Sequence, residues 1–283
     1  MLILGSTGLI GHQVFNYLKD NGDYNLYNIA YRKKIQRDTI LLDARDEHNL
    51  TKQITSIRPQ YIVNCIGVLI NGSDRDPENA VFLNSYIPHR LARLAKFFNA
   101  KLIQISTDCV FSGYKQESYV ESDEKDGRGI YALTKGLGEV INHQHLTLRT
   151  SVVGPELKND GEELFHWFMS QSGSISGFTK AIWSGVTTLE LAKAVKWSID
   201  NDIFGLYHVT NNSSINKYEL LKLFQKYTKK KIDIIPIDGE NIDRSFIDTR
   251  QLINYEIPSY DQMILDMVNL MLSNRVLYSQ YDI

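Results

Sequence analysis

The chain has 283 residues, 43% of them hydrophobic, and a formal net charge of −2. Those values allow one large α/β unit or two packed subdomains and give no general reason to expect nucleic acid or an anionic membrane as partner. No apolar run approaches the ~20 residues that cross a bilayer, and no basic-then-apolar leader opens the chain, so the expected location is the cytoplasm.

In chain order, short aliphatic runs alternate with helical patterns. "MLIL" reads as a strand, and "LIGHQVFNYLKDNG" carries one apolar stripe closed by Gly22. "YNLYNIAY" and "TILLD" read as the second and third strands, and "RDEHNLTKQITSIRP" as a helix stopped before Pro59. "YIVNCIGV" is the fourth strand. "NAVFLNSYIPHRLARLAKFFNA" is helical, with Pro88 beginning or kinking a segment. "KLIQIST" is the fifth strand, "GIYALTKGLGEVINHQ" a helix and "LTLRTSVVG" the sixth strand. Runs of Ile, Val and Leu without polar alternation predict strands covered on both faces. Their alternation with helices predicts a doubly wound, Rossmann-type parallel sheet over residues 1–150. After Gly154 amphipathic helices dominate, with strand-like pieces at "GLYHVT" and "IDIIPI". This predicts a smaller mixed α/β lobe over 151–283, some segments of which return to the first domain. In it, the helix with Met263, Ile264, Met267, Leu270 and Met271 reads as core, of which an exposed part could build a homodimer.

Gly5, Gly8 and Gly11 lie where the first strand turns into the first helix. Glycine there permits positive φ and close approach of a pyrophosphate to backbone N–H groups at the positive helix end. The end of the second strand, "AYRKK", carries no acid to hold a ribose 2′-OH. Arg32 there suits a 2′-phosphate, or else belongs to an ordinary solvated basic loop. Asp43, after the third strand, could accept the adenine amino group or cap the next helix. Tyr131 and Lys135 are four apart and share a helix face. An ammonium there should lower the phenol's pKa and ready it to exchange a proton with a carbonyl oxygen. Ser106 or Thr107, at the end of the fifth strand, could hydrogen-bond the same oxygen. Cys65 and Cys109 read as reduced core thiols, and His143 and His145 as surface groups at a helix end, with no third metal ligand beside them. Trp183 could stack on a base or pack a loop.

The glycine spacing, "NCIG", "STDCVFSG", the run to "YALTKGLGE" and then "LRTSVVG" resemble extended short-chain dehydrogenases/reductases, in particular the dTDP-4-dehydrorhamnose reductase family. The resemblance extends to "GVTTLELAKAV" and "GLYHV". It implies NADPH-dependent reduction of the 4-keto group of a nucleotide-activated 6-deoxy sugar, with NADH as the alternative donor and no metal assigned. It implies Thr107, in preference to Ser106, with Tyr131 and Lys135 as the catalytic set, Lys135 also holding the nicotinamide ribose. It implies cofactor contacts from Gly5, Ser6, Thr7, Gly8, Leu9, Ile10, Gly11, Arg32, Asp43, Ala44, Cys65, Ile66 and Gly67. The sugar site would draw on Thr107, Asp108, Val153, Phe178, Trp183 and Thr187. The family commonly has Tyr at Cys109 and an aromatic residue at Val152, so the identity of the sugar is less defined than the reaction. The rival readings are an NAD-retaining nucleotide-sugar epimerase or dehydratase, and a non-catalytic subunit such as the regulatory subunit of methionine adenosyltransferase.

Overall fold

A computed structural model describes residues 1–115, 117–250 and 255–283. In chain order the first elements are β1 (Leu2–Leu4), α1 (Leu9–Asp20), β2 (Tyr27–Ala30), β3 (Ile40–Leu41), α2 (Glu47–Ile57) and β4 (Tyr61–Asn64). There follow α3 (Ile70–Arg75), α4 (Pro77–Ala80), a π-helical stretch (Val81–Tyr86), α5 (Ile87–Phe97), β5 (Lys101–Thr107), α6 (Ile130–Leu137) and β6 (Leu146–Thr150). Then come β7 (Val152–Val153), α7 (Leu164–Ser170), β8 (Ser174–Phe178), β9 (Ala181–Trp183), β10 (Val186–Thr187), α8 (Thr188–Asp200) and β11 (Gly205–His208). The last are β12 (Ile215–Asn216), α9 (Lys217–Thr228), β13 (Asp233–Ile237), β14 (Ile242–Asp243) and α10 (Tyr260–Ser273). No helix among the described residues is long and apolar enough to cross a membrane.

The backbone packs as two compact units. The first comprises Met1–Phe111, Glu124–Arg149 and Ala192–Tyr207, and the second Ser112–Asp123, Thr150–Leu191 and His208–Ile283. Residues 192–207, past the expected boundary at 150, belong to the first unit, and 112–123, before it, to the second.

The main sheet runs β11-β6-β5-β4-β1-β2-β3, with β1–β2, β1–β4, β2–β3 and β4–β5 parallel. Strand order reverses between β1 and β4, the switch point where a doubly wound sheet opens a crevice at its carboxyl ends. β1 and β5 are buried along their whole length; in β1 this explains the unbroken apolar run, whereas β5 buries Lys101, Gln104, Ser106 and Thr107 among its aliphatic residues. Leu2, Leu4, Ile62 and Leu102 of the sheet join Leu50 and Leu91 of the helices in one core. "GLYHVT", expected in the second lobe, instead supplies the edge strand β11. His145 is 2% exposed, not on the surface: Leu102 N donates to its Nδ1 at 3.2 Å, and its Nε2 lies 3.2 Å from Ala92 O.

Pro88 does not end its helix. It follows the π-helical stretch, which joins α4 to α5 without interruption. Proline has no N–H to bond the carbonyl four residues earlier, that of Asn84. At that carbonyl Gly138, just past α6, approaches so closely that a Cβ would lie 1.8 Å from Asn84 O.

In the second unit β9 lies between β12 and β14, and β8 pairs with β13 and β7 with β10. Phe165 packs edge-on against Phe224 at 5.2 Å, and Met263, Ile264, Met267 and Met271 of α10 are each at most 1% exposed, as core.

Candidate active site

β1 is followed by Gly5 at φ +77°, a conformation that glycine adopts freely. A Cβ on Gly5 would lie 3.0 Å from the Cys65 carbonyl, and one on Gly11 2.1 Å from Gly5 O. The turn therefore closes tightly between the first and fourth strands and the start of α1. Gly8 caps α1 without a side-chain hydrogen bond, and no acid stands in its first turn. Those N–H donors and the helix dipole suit an anion. Ser6 is fully buried, its hydroxyl donating to Asn28 Oδ1 at 2.9 Å, so its side chain braces the turn instead of facing a ligand. Ala44, 6% exposed, belongs with its methyl group to the core.

Beyond β2, Tyr31 and Arg32 are exposed, with the Arg32 guanidinium 4.8 Å from the Tyr31 ring centroid. Asp43 does not cap α2; Asp46 does, accepting from Asn49 N at 3.1 Å. Asp43 binds Arg45: Arg45 Nε lies 3.0 Å from each carboxylate oxygen and Nη2 2.6 Å from Oδ2. Hydrogen bonding from Arg45 holds the Asp43 carboxyl below its ordinary pKa.

The ends of β4, β5 and α6 converge. The Lys135 ammonium, 7% exposed, donates to Ile105 O at 2.7 Å, and a Cβ on Gly67 would lie 3.9 Å from it. Burial lowers its pKa to about 8, while the Glu139 carboxylate and the thiols of Cys65 and Cys109 oppose that shift. Tyr131 is half-buried, with Thr107 near enough to draw its pKa down. The Thr107 hydroxyl donates to Asp108 Oδ1 at 3.1 Å and accepts from Cys109 N at 3.2 Å. The phenol was expected to be drawn down by Lys135. It is pushed up, because burial dominates, Cys109 and Asp108 add to it, and only Thr107 opposes. A phenol so placed stays protonated across the neutral range.

The two hydroxyls at the end of β5 are told apart by their partners. Ser106 Oγ donates to Glu139 Oε1 at 2.7 Å, away from Tyr131. Glu139 also accepts from Arg149 Nε and Nη2, both at 2.8 Å, and lies 3.2 Å from Lys125 Nζ. The Arg149 side chain is 2% exposed and that of Glu139 fully buried. The sequence reading missed this network. Its available signal was Arg149 inside an apolar strand, since a buried guanidinium needs an acidic partner. Asn84 was missed as well: its Nδ2 donates to Val68 O at 3.0 Å and to Thr134 Oγ1 at 3.2 Å, tying the π-helical stretch to α6.

In the second unit Val153, Trp183 and Thr187 are 1%, 3% and 1% exposed. Val153 and Thr187 pair with each other across β7 and β10. The Trp183 ring packs 5.6 Å from that of Tyr260, with Lys217 Nζ 5.5 Å from its centroid. These three side chains are packed inward, and of the four second-unit residues expected at a sugar only Phe178 is exposed.

The model of the RmlD substrate binding domain family matches residues 1–245. The dTDP-4-dehydrorhamnose reductase of Aggregatibacter actinomycetemcomitans is 23% identical over 244 residues, covering 82% of this chain and 80% of that protein. Methionine adenosyltransferase 2 subunit beta of Xenopus laevis is 27% identical over 238 residues, covering 77% and 69%. Among solved structures, dTDP-4-dehydrorhamnose reductase of Bacillus anthracis, in complex with NADP, superposes with a TM-score of 0.82 at 22% identity over 95% of this chain and 98% of that one. UDP-glucose 4-epimerase of Thermotoga maritima gives 0.78 at 17% identity over 96% and 98%, so the fold alone is common to reductases and epimerases. By the family match over most of its length, the chain belongs to the RmlD substrate binding domain family.

Proposed function

We propose that this protein reduces the 4-keto group of a nucleotide-activated 6-deoxy sugar at the expense of NADPH, as a dTDP-4-dehydrorhamnose reductase-like enzyme. The observation that carries the reading is the Thr107–Tyr131–Lys135 constellation, with a protonated phenol at the carboxyl ends of parallel strands. The relatives named as dTDP-4-dehydrorhamnose reductases support it, as does the NADP in the Bacillus anthracis structure.

The residues present fit a dinucleotide phosphate. The cradle at Gly5 and Gly11 has no room for a Cβ, and the start of α1 offers uncapped donors with no acid to oppose an anion. Arg32, exposed beyond β2, would hold the 2′-phosphate, and Gly67 and Lys135 would face the nicotinamide ribose. When bound, the cofactor supplies a hydride to the carbonyl carbon. Tyr131 then gives its phenolic proton to the oxygen of that carbonyl as negative charge develops there, leaving an alcohol. Thr107, beside Tyr131, would stabilise the same oxygen. The Lys135 ammonium, positive below about pH 8, favours transfer of the proton out of the phenol. Asp108, 6% exposed and bonded to Thr107, orients that hydroxyl.

A panel of 4-keto nucleotide sugars offered with NADPH, followed at the nicotinamide absorbance, tests the proposal. One member should be reduced, and Tyr131→Phe should lower its turnover by ~10²–10⁴ while NADPH still binds. Near-normal turnover in that variant would sink the mechanism.

A further inference from the structure

We propose that Arg45 is a second determinant of cofactor choice: it masks Asp43 and, with Arg32, presents a paired guanidinium site for the adenosine 2′-phosphate. The inference rests on the NADPH reading above and names a residue to which that reading gave no role.

β2 and β3 are neighbours, in register at Ile29–Ile40 and Ala30–Leu41, so the residues after both strands emerge side by side. The segment after β2 brings Tyr31 and Arg32, and the segment after β3 brings Asp43 and Arg45. Arg45 grips the Asp43 carboxylate through Nε and Nη2, and its own backbone N donates to Oδ1 at 3.0 Å. Its Nη2 also donates to Tyr31 Oη at 3.2 Å. The Tyr31 ring thus has two guanidinium groups near it, Arg32 at 4.8 Å and Arg45 at 5.9 Å from the centroid.

Charge decides what this patch can accept. A carboxylate beside the adenosine ribose favours a free 2′-OH and repels a 2′-phosphate. Here the nearby carboxylate is bound by a guanidinium, so Arg32, Arg45 and Asp43 together remain positive. A guanidinium carries five N–H donors in a fixed fork, and among the described residues Nε and Nη2 make all the side-chain hydrogen bonds of Arg45. Its Nη1 edge is available to phosphate oxygens. Lys33 and Lys34, also exposed, add to the positive field.

The test is calorimetric titration of NADPH and NADH into the wild type, Arg45→Ala, and Arg45→Ala with Asp43→Asn. Arg45→Ala removes one donor group and unmasks one negative charge. It should weaken NADPH roughly ten- to a hundredfold and change NADH less than about threefold. Adding Asp43→Asn should recover part of the NADPH loss, because the repulsion goes while the missing donor stays missing. Equal losses for both cofactors, no loss for either, or no recovery in the double variant would each overturn the proposal. A wild type that binds NADH as tightly as NADPH would instead overturn the NADPH reading beneath it.

Discussion

Replacing Glu139 by Ala should destabilise the first unit more than any exposed substitution in it. The carboxylate is fully buried, and on it converge two nitrogens of a guanidinium that is itself 2% exposed, the Ser106 hydroxyl and, at 3.2 Å, the Lys125 ammonium. Removing one partner of such a pair leaves an uncompensated buried charge, which costs about 3–5 kcal/mol. At about 2–4 °C per kcal/mol for a chain of this size, the melting temperature should fall by roughly 6–20 °C. Removing both charges, with Glu139→Met and Arg149→Met together, should recover most of that loss, since replacing a buried pair by apolar groups of similar volume is often neutral. The effect also has a pH signature. Burial pushes the Glu139 carboxyl up, but Arg149, Ser106 and Lys125 together hold it below its ordinary 4.5. A depressed carboxyl stabilises the folded state above its unfolded pKa, and that contribution is lost as pH falls through the folded value. Melting curves of wild type and Glu139→Gln should therefore differ at pH 7 and converge as the pH drops below about 4.5. A single variant that melts within 2 °C of wild type, or a double variant as unstable as the sum of the singles, would refute the account.

Two further outcomes follow from the buried groups. With Lys135 lowered to about 8, keto reduction should decline as pH rises through that value, and kcat/KM in Lys135→Arg should keep its plateau past pH 9 even if the plateau is lower; identical profiles for the two proteins would contradict the role given to the ammonium. Trp183→Ala should cost about 3–5 kcal/mol of stability, because the ring is 3% exposed and packed on Tyr260; an unchanged melting curve would return Trp183 to the list of ligand contacts.

The alternation of apolar runs and helical stripes made the first six strands and their order in the chain readable, because aliphatic residues dominate them even where buried Gln104, Ser106 and Arg149 interrupt the run. The glycine turn was readable because at Gly5 and Gly11 the packing leaves no place for a side chain. The spacing of Tyr131 and Lys135 placed them on one helix face, but spacing carries no depth. The direction of the Tyr131 shift depends on burial and on Cys109 and Asp108, neither of which a helix period reports. Arg45 and Asp43 are two apart, and a pairing so local looks in sequence like ordinary loop charge. Glu139 was hidden because α6 stops at Leu137, sooner than its composition suggests, so the carboxylate leaves the helix and turns to Ser106 and Arg149. Trp183 lay in a strand of three residues, too short for a period to separate inward from outward.

The π-helical stretch acts as a phase adjuster. Each α-helical residue advances ~100°, so one residue more or less in a turn rotates everything beyond it by that angle. Asn84, within the wide turn, must point toward Val68 and Thr134, while Ile87, Leu91 and Leu94, just past it, must point into the core. The extra residue lets one helix satisfy both demands, and the missing N–H of Pro88 keeps the turn from tightening. Deleting a single residue between Val81 and Tyr86 would make the helix more regular and the protein worse. Either Asn84 would swing off the loop after β4, or Leu91 and Leu94 would rotate toward water. A change of one in the residue count of this segment should therefore cost more than a conservative substitution within it.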